Sequence, residues 1–175
     1  MCKKEHNITV SLVAAMGKGR VIGSEGGIPW LGDLPDDLKH FKSLTIGSAV
    51  VMGRKTWDSL PEVSRPLPER QNIILTRNTD FAAEGADVAH SVDDVFDLAP
   101  DNDTLFVIGG AEIYKLFLPH ASFLHLTLVE YTFDGDAYFP EIDFSKWTLE
   151  SSKQILRNQK NLYSAKILTL KRKSS

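Results

Sequence analysis

A chain of 175 residues, 42% of them hydrophobic and 25% charged, is long and apolar enough for one globular domain with a full core. Its net charge of −3 gives no broad cationic field, which argues against a phosphate-backbone partner such as DNA or RNA. Cys2 is the only cysteine, so an intrachain disulfide is excluded, and the five histidines (His6, His40, His90, His120, His125) never fall in a metal-ligand spacing; no metal is expected.

Lys3 and Lys4 ahead of the apolar run 8–16 imitate a short signal peptide, yet Asn7 and Thr9 are polar and Gly17-Lys18-Gly19-Arg20 stands where a cleavage site belongs. A buried strand over 8–15 explains the run better, and no other run approaches membrane-spanning length. The expected location is therefore the cytoplasm, with no membrane partner. The glycine-rich segment 16–34 reads as a long irregular loop, in which Trp30 serves as a core anchor, a lid residue, or both.

A helix over 35–45 starts with Pro35 at its first position, where the missing N–H costs nothing. Then come a strand over 49–52, a short helix over 54–60, a proline-rich connection over 61–70 and strands over 72–76 and 86–90. A helix over 92–98 has Ser91 as its N-cap, with Asp94 three residues on. A strand over 104–108 feeds a helix over 111–118 that Pro119 closes, and strands alone follow at 123–131, 147–155 and 162–171. βαβ units with an antiparallel finish predict a single α/β domain over 1–175. Its central sheet is expected to be mixed and mostly parallel, of about eight strands with an antiparallel C-terminal strand, flanked by about four helices.

Two strands run through glycine straight into a helix, at Val51-Met52-Gly53-Arg54 and at Val107-Ile108-Gly109-Gly110-Ala111. Such junctions aim unpaired N–H groups at phosphates, and Arg54 and Lys55 suggest a further phosphate, as in a phosphorylated dinucleotide; singly, each also reads as an ordinary tight turn. Neither is a GxGxxG fingerprint or a P-loop. On a wheel, Leu34, Leu38, Phe41, Leu44 and Thr45 form the apolar stripe of the first helix, and Asp37 falls inside it while Asp36, Lys39, His40 and Ser43 lie outside. A carboxylate taken into apolar surroundings has its pKa raised and needs a partner, either a basic side chain or a ligand with donors.

These residues stand in a recognisable order: Ile28-Pro29-Trp30, Leu34-Pro35-x-Asp37-Leu38-x-x-Phe41-Lys42, Val51-Met52-Gly53-Arg54-x-Thr56-Trp57, Arg65-Pro66-Leu67-Pro68-x-Arg70-x-Asn72, Ile108-Gly109-Gly110-Ala111-x-Ile113-Tyr114, Leu126-Thr127 and Gly135-Asp136-x-x-Phe139-Pro140. Over most of its length the chain resembles dihydrofolate reductases of the common chromosomal, bacterial-like type. The resemblance implies hydride transfer from NADPH to carbon 6 of 7,8-dihydrofolate with protonation at N5, in a monomer open to antifolate inhibitors. It assigns the catalytic places to Asp37, which would be the only ionisable group against the pterin, to Thr127, bonded to that carboxylate, and to Trp30, which positions a water and closes the lid. Arg70 would grip the α-carboxylate of the glutamate tail, while Val13, Leu38, Phe41, Leu60 and Leu67 line the ring slot, with Arg65 and Tyr114 completing the substrate side.

On the cofactor side the resemblance gives Arg54 and Arg77, beside Lys55 and Thr76, the phosphate on the adenosine ribose. Gly53, Thr56, Ile108, Gly109, Gly110, Ala111, Ile113 and Tyr114 belong to the pyrophosphate cradle, in which the Gly109-Gly110 bond is cis in this family. Ala15, Ile22 and Gly23 meet the nicotinamide. Three departures from the bacterial pattern stand out: the longer Leu31-Gly32-Asp33, the longer connection 59–65, and Glu112 where some relatives carry a cation. The alternative readings are a related-fold NADPH reductase of a phosphoribosyl pyrimidine in flavin synthesis, which lacks the Asp37 and Arg70 pair, and an NADPH-binding module without catalysis.

Overall fold

Eight residues of alternating sidedness make β1 (Thr9–Met16) the spine of the sheet. The computed structural model describes residues 5–175, so Cys2, Lys3 and Lys4 lie outside the described residues. The other strands are β2 (Val21–Gly23), β3 (Ala49–Gly53), β4 (Gln71–Leu75), β5 (Asp87–Ala89), β6 (Thr104–Val107), β7 (Phe123–Val129), β8 (Ala137–Tyr138), β9 (Trp147–Ile155) and β10 (Ala165–Arg172). Four α-helices connect them: α1 (Pro35–Thr45), α2 (Arg54–Ser59), α3 (Val92–Leu98) and α4 (Ala111–Phe117). The main sheet has eight strands in the order β5-β4-β3-β6-β1-β7-β10-β9, parallel up to β7 and antiparallel from β10 onward. This is the mixed sheet that the sequence order implies.

The two faces of the sheet follow from strand periodicity. Val10, Leu12, Ala14 and Met16 of β1 join Ala49 and Val51 of β3 in a core covered by Val95 of α3 and Ile113, Tyr114 and Phe117 of α4. The alternate residues Val13, Val50, Met52, Ile74 and Phe106 pack with Trp57 of α2 and with Phe41 and Leu44 of α1. Each fully buried Val, Leu, Ile, Met or Phe side chain among these contributes about 1.5–3 kcal/mol by leaving water. At the N-terminus of α3, the Ser91 hydroxyl accepts from the Asp94 N–H at 3.0 Å, as its position in the sequence predicts.

Several boundaries differ from the sequence expectation. The segment 16–34 is not wholly irregular: a 310 turn at Lys18–Arg20 leads into β2, which pairs antiparallel with β8. Gly135 makes that pairing possible, because a Cβ there would clash with Val21 and lie 2.6 Å from the Gly23 carbonyl oxygen. The last strand begins at Ala165 rather than at residue 162, since the Asn158 side-chain oxygen accepts from the Lys160 and Asn161 N–H groups at 2.8 and 2.7 Å and closes a turn first.

Candidate active site

Helix α1 carries the inward acid to the sheet. Leu34 and Thr45 of its stripe are buried and Phe41 and Leu44 are partly so, but Leu38 is 65% exposed, contrary to a fully covered apolar face. At Leu38 the stripe faces outward instead of closing on the core. On β7, Leu124 and Leu126 point into the larger core, leaving His125 and Thr127 on the α1 side. The Thr127 hydroxyl donates to Asp37 Oδ1 at 2.6 Å, and Thr127 sits beside Ala15 in the parallel β1–β7 register. Burial pushes the Asp37 carboxyl above the usual carboxylate range, opposed by that hydrogen bond and by the nearby His40.

Tyr114 of α4 reaches the same end of β1, where its hydroxyl donates to the Val13 carbonyl at 2.6 Å. Its pKa is pushed up by burial and by the charge of Asp37, so it stays a neutral donor. Hydrogen bonds and strand register thus gather Val13, Asp37, Tyr114 and Thr127 around neighbouring positions of β1 and β7. His40 departs from expectation: placed on the solvated side by the wheel, it is only partly exposed and one ring nitrogen is fully buried.

At the far end of α1, Arg70 is held by its surroundings. Its Nε donates to the Pro68 carbonyl at 2.9 Å and its Nη1 to Thr45 Oγ1 at 3.1 Å, and the guanidinium lies 5.9 Å from the Phe41 ring centroid. Partial burial lowers its pKa and Glu69 raises it, yet a guanidinium stays charged at any ordinary pH. Arg65 lies near the same connection, 5.7 Å from the Trp57 ring centroid and 3.8 Å from Glu62, with a cis bond to Pro66. Leu67 is buried and Leu60 partly so against the same cluster.

Two supporting residues were not singled out as site residues by sequence reasoning. Thr45 orients Arg70. Buried Asn72 stitches the connection into place by accepting from the Leu67 N–H at 2.9 Å and donating to the Leu67 and Arg70 carbonyls at 3.0 Å. The available signal was a polar residue at an apolar position, Thr45 in the helix stripe and Asn72 in a strand. Asn72→Ala should cost about 1–3 kcal/mol of stability by leaving buried groups unpaired, read as a lower urea midpoint.

The two glycine junctions are neighbours. The Gly53 N–H donates to the Gly109 carbonyl at 2.8 Å and the Ile108 N–H to Val51 at 3.0 Å. A Cβ on Gly53 would meet Ile113 at 3.0 Å, one on Gly110 would meet Thr56 Oγ1 at 3.5 Å, and Gly109 has φ of 119° with a cis bond to Gly110. Neither α2 nor α4 has a side-chain cap on its N-terminal N–H groups, so both present free donors beside Ala111 and Thr56. Because β3 pairs β4 with Gly53 opposite Leu75, Thr76 and Arg77 emerge beside Arg54 and Lys55. Lys55 and Arg77 are exposed, and Arg54 is 3.5 Å from Asp58 and 5.4 Å from the Phe81 ring centroid. The four residues 54, 55, 76 and 77 and the two glycine junctions therefore share one edge, the carboxyl end of the parallel strands.

Ile22 and Gly23 are partly buried in β2, and the chain then continues to Trp30. Trp30 is 4% exposed and its ring centroid lies 4.9 Å from that of Phe133, so it anchors the segment in a small core with Leu34 and Val129. The adjacent Leu31 is 71% exposed, and Asp33 is fixed by its carbonyl, which accepts from the Leu162 N–H at 2.8 Å. Glu112 lies exposed in the first turn of α4. Among the described residues, no cluster of His, Cys, Asp or Glu side chains has the makings of a metal site.

A mixed α/β sheet whose parallel strands end in two adjoining glycine junctions flanked by cations, with a partly buried acid on the neighbouring helix, has the architecture of the nucleotide-dependent α/β enzymes. The family follows from comparison with known proteins. The family model of dihydrofolate reductase matches residues 9–172. The chain is 40% identical over 166 residues to dihydrofolate reductase of Bacillus subtilis, covering 95% of this chain and 96% of that protein. It is 39% identical to the Staphylococcus aureus enzyme over 95% of this chain and 99% of that one. A dihydrofolate reductase structure from Enterococcus faecalis, complexed with NADP(H) and RAB-propyl, superposes with a TM-score of 0.85 at 37% identity, covering 95% of this chain and 97% of that one. The chain belongs to the dihydrofolate reductase family, which displaces the phosphoribosyl-pyrimidine reductase reading.

Proposed function

We infer that this chain, acting over 1–175 as a single dihydrofolate reductase-like domain, reduces 7,8-dihydrofolate to 5,6,7,8-tetrahydrofolate with NADPH. The observation that carries the reading is the Asp37 carboxyl, partly buried on the inward side of α1, bonded to Thr127 and raised in pKa by its burial, next to an exposed Leu38. NADPH supplies the hydride that reaches carbon 6 of the pterin. Asp37 accepts the amino group and ring N–H of the pterin and favours a proton at N5, while Thr127 fixes the carboxylate plane. Trp30 closes the cleft and positions a water. Val13, Phe41, Leu60 and Leu67 pack the rings with Leu38, and Tyr114 braces the β1 end. Arg70, with Arg65 nearby, meets the glutamate tail.

The residues present fit the cofactor: free N–H donors at α2 and α4, a glycine surface that a Cβ would fill, and cations at one rim. Thr56 and residues 108–111 hold the pyrophosphate, Gly53 and Ile113 shape the cradle, and Ala15, Ile22 and Gly23 face the nicotinamide. Arg54, Lys55, Thr76 and Arg77 take the ribose phosphate.

The direct test is loss of the NADPH absorbance band with dihydrofolate present; no loss beyond the dihydrofolate-free control refutes the activity. Replacing Arg54 and Arg77 by Gln should remove about 1.5–3 kcal/mol per charge-assisted bond from NADPH binding and leave NADH use unchanged. An unaltered NADPH-to-NADH preference would reassign the phosphate site. We further propose that the chain works as a cytoplasmic monomer and binds antifolates in the cleft. No described helix is long and apolar enough to cross a membrane.

A further inference from the structure

Helix α1 begins without a cap of its own. Leu34 at the N-cap position has no side-chain acceptor to offer and Pro35 has no N–H, so the donors to be satisfied in the first turn begin at Asp36. The Asp37 N–H reaches back to the Leu34 carbonyl at 3.1 Å. The Asp36 N–H is met by a residue 125 positions later in the chain: Asn161 Oδ1 accepts from it at 3.2 Å, while Asn161 Nδ2 donates to Asp36 Oδ2 at 2.8 Å. An N–H can only donate and a carboxylate can only accept, so these two bonds fix which way round the Asn161 amide stands.

Asn161 is 1% exposed, and its backbone is held in a turn built by a second asparagine. Asn158 Oδ1 accepts from the Asn161 N–H at 2.7 Å, and the Asn158 N–H donates to the Asn161 carbonyl at 2.8 Å. With Leu162 bonded to the Asp33 carbonyl, the connection between β9 and β10 grips the chain on both sides of Pro35. A buried amide costs free energy unless its polar atoms are paired, and here both are spent on Asp36. The first turn of α1 depends on this grip, because Phe41 and Leu44 pack further along the helix and Leu38 faces outward. Its apolar anchor is Leu34, just outside the helix.

Asp37 follows Asp36 directly, so the turn that Asn161 grips is the turn that carries the acid. The Asp37 carboxyl is tied to Thr127 at 2.6 Å, and the backbone beneath it is tied to Asn161 through the neighbouring residue. We propose that Asn161 is a positioning residue for the reduction, which caps α1 from the β9–β10 connection and thereby sets where the Asp37 carboxyl stands against the pterin. The proposal rests on the pterin-facing role inferred for Asp37. Chemistry is far more sensitive than ligand binding to such placement, because a displacement of about 1 Å at a reacting group costs about a hundredfold in rate.

The test measures single-turnover hydride transfer at saturating NADPH and dihydrofolate, together with amide exchange at Asp36 in the ligand-free protein. Asn161→Ala should lower the transfer rate about tenfold at unchanged NADPH Kd and should speed exchange of the Asp36 N–H. Asn161→Asp, which sets a second carboxylate against Asp36, should lose rate as well; adding Asp36→Asn exchanges the two groups, restores both bonds and should recover most of the rate. This pair carries the test if Asn161→Ala does not fold. In an Asp37→Asn background, replacing Asn161 should bring no further loss, since the group it positions is gone. Arg172→Met serves as the control for stability alone, because it removes bonds to the Leu118 and Ala121 carbonyls at the end of β10 away from Asn161, and it should melt lower at an unaltered transfer rate. Wild-type transfer in the folded Asn161 variants overturns the proposal, as does a full further loss in the Asp37→Asn background or an exchanged pair no faster than Asn161→Asp. Asp37→Asn separates the layers. A wild-type rate in that variant removes the role of Asp37 itself, whereas a lowered rate there beside unaltered Asn161 variants removes only the part given to Asn161.

Discussion

Asp37→Asn should fold and lose about a hundredfold or more of its dihydrofolate reduction at pH 7, within the range for removing a general acid–base group. The amide keeps the size of the carboxyl and its hydrogen-bonding reach toward Thr127, now 2.6 Å from Asp37 Oδ1, so what disappears is the negative charge beside the pterin. In the proposed mechanism that charge favours a proton on N5, next to the carbon that receives the hydride. As the pH is lowered, substrate protonates without help, and the variant should recover part of its rate while wild type gains less. Stopped-flow hydride transfer across pH reads this directly; wild-type turnover at pH 7 would remove the proposed role.

The same residue carries a stability cost. Because burial raises its pKa in the folded state, the Asp37 contribution favours folding below the ordinary carboxylate range and is lost as pH rises through the folded value. At neutral pH, Asp37→Asn should therefore melt no lower than wild type, and the difference should shrink on acidification. An active-site charge held at the expense of stability behaves in this way.

Arg70→Leu should weaken dihydrofolate binding by about 2–4 kcal/mol with NADPH affinity unchanged, the range for truncating one partner of a desolvated charge pair. The guanidinium is held before any ligand arrives, by Pro68 and Thr45 and by the Phe41 ring, so little ordering is left to pay on binding. The substitution leaves the scaffold satisfied, because Thr45 still donates to the Phe41 carbonyl at 2.9 Å and leucine packs on that ring. The effect should appear in dihydrofolate Kd and KM, with kcat in saturating substrate largely retained. Equal binding of dihydrofolate by variant and wild type would sink the carboxylate grip.

The elements were legible where local signals sufficed. Pro35 opens α1, Ser91 caps α3 and β9 runs over Trp147–Ile155, because proline geometry, a capping hydroxyl and strand patterning each act within a few residues. Asp37 was legible as an acid on the wrong face of a helix. Less visible was what depends on partners distant in the chain. β2 and β8 are too short to declare themselves and exist because Gly135 lets them meet. Leu38 fits an apolar stripe yet stands open, and His40 sits on the polar side of the wheel with a buried nitrogen.

By itself, then, the sequence determined the alternation of strands and helices and the identity of the one acid that helix amphipathicity does not explain, since each is written in a periodicity of two or 3.6 residues, and the two glycine junctions, since they are written in the order of strand, glycine and helix. Only the tertiary structure decided what that acid meets. Thr127 lies 90 positions away from it, and Thr45 and Asn72 hold Arg70 and its connection through contacts made when α1, β4 and β7 pack. Burial, and with it the raised pKa of Asp37, is a property of that packing and of no segment alone.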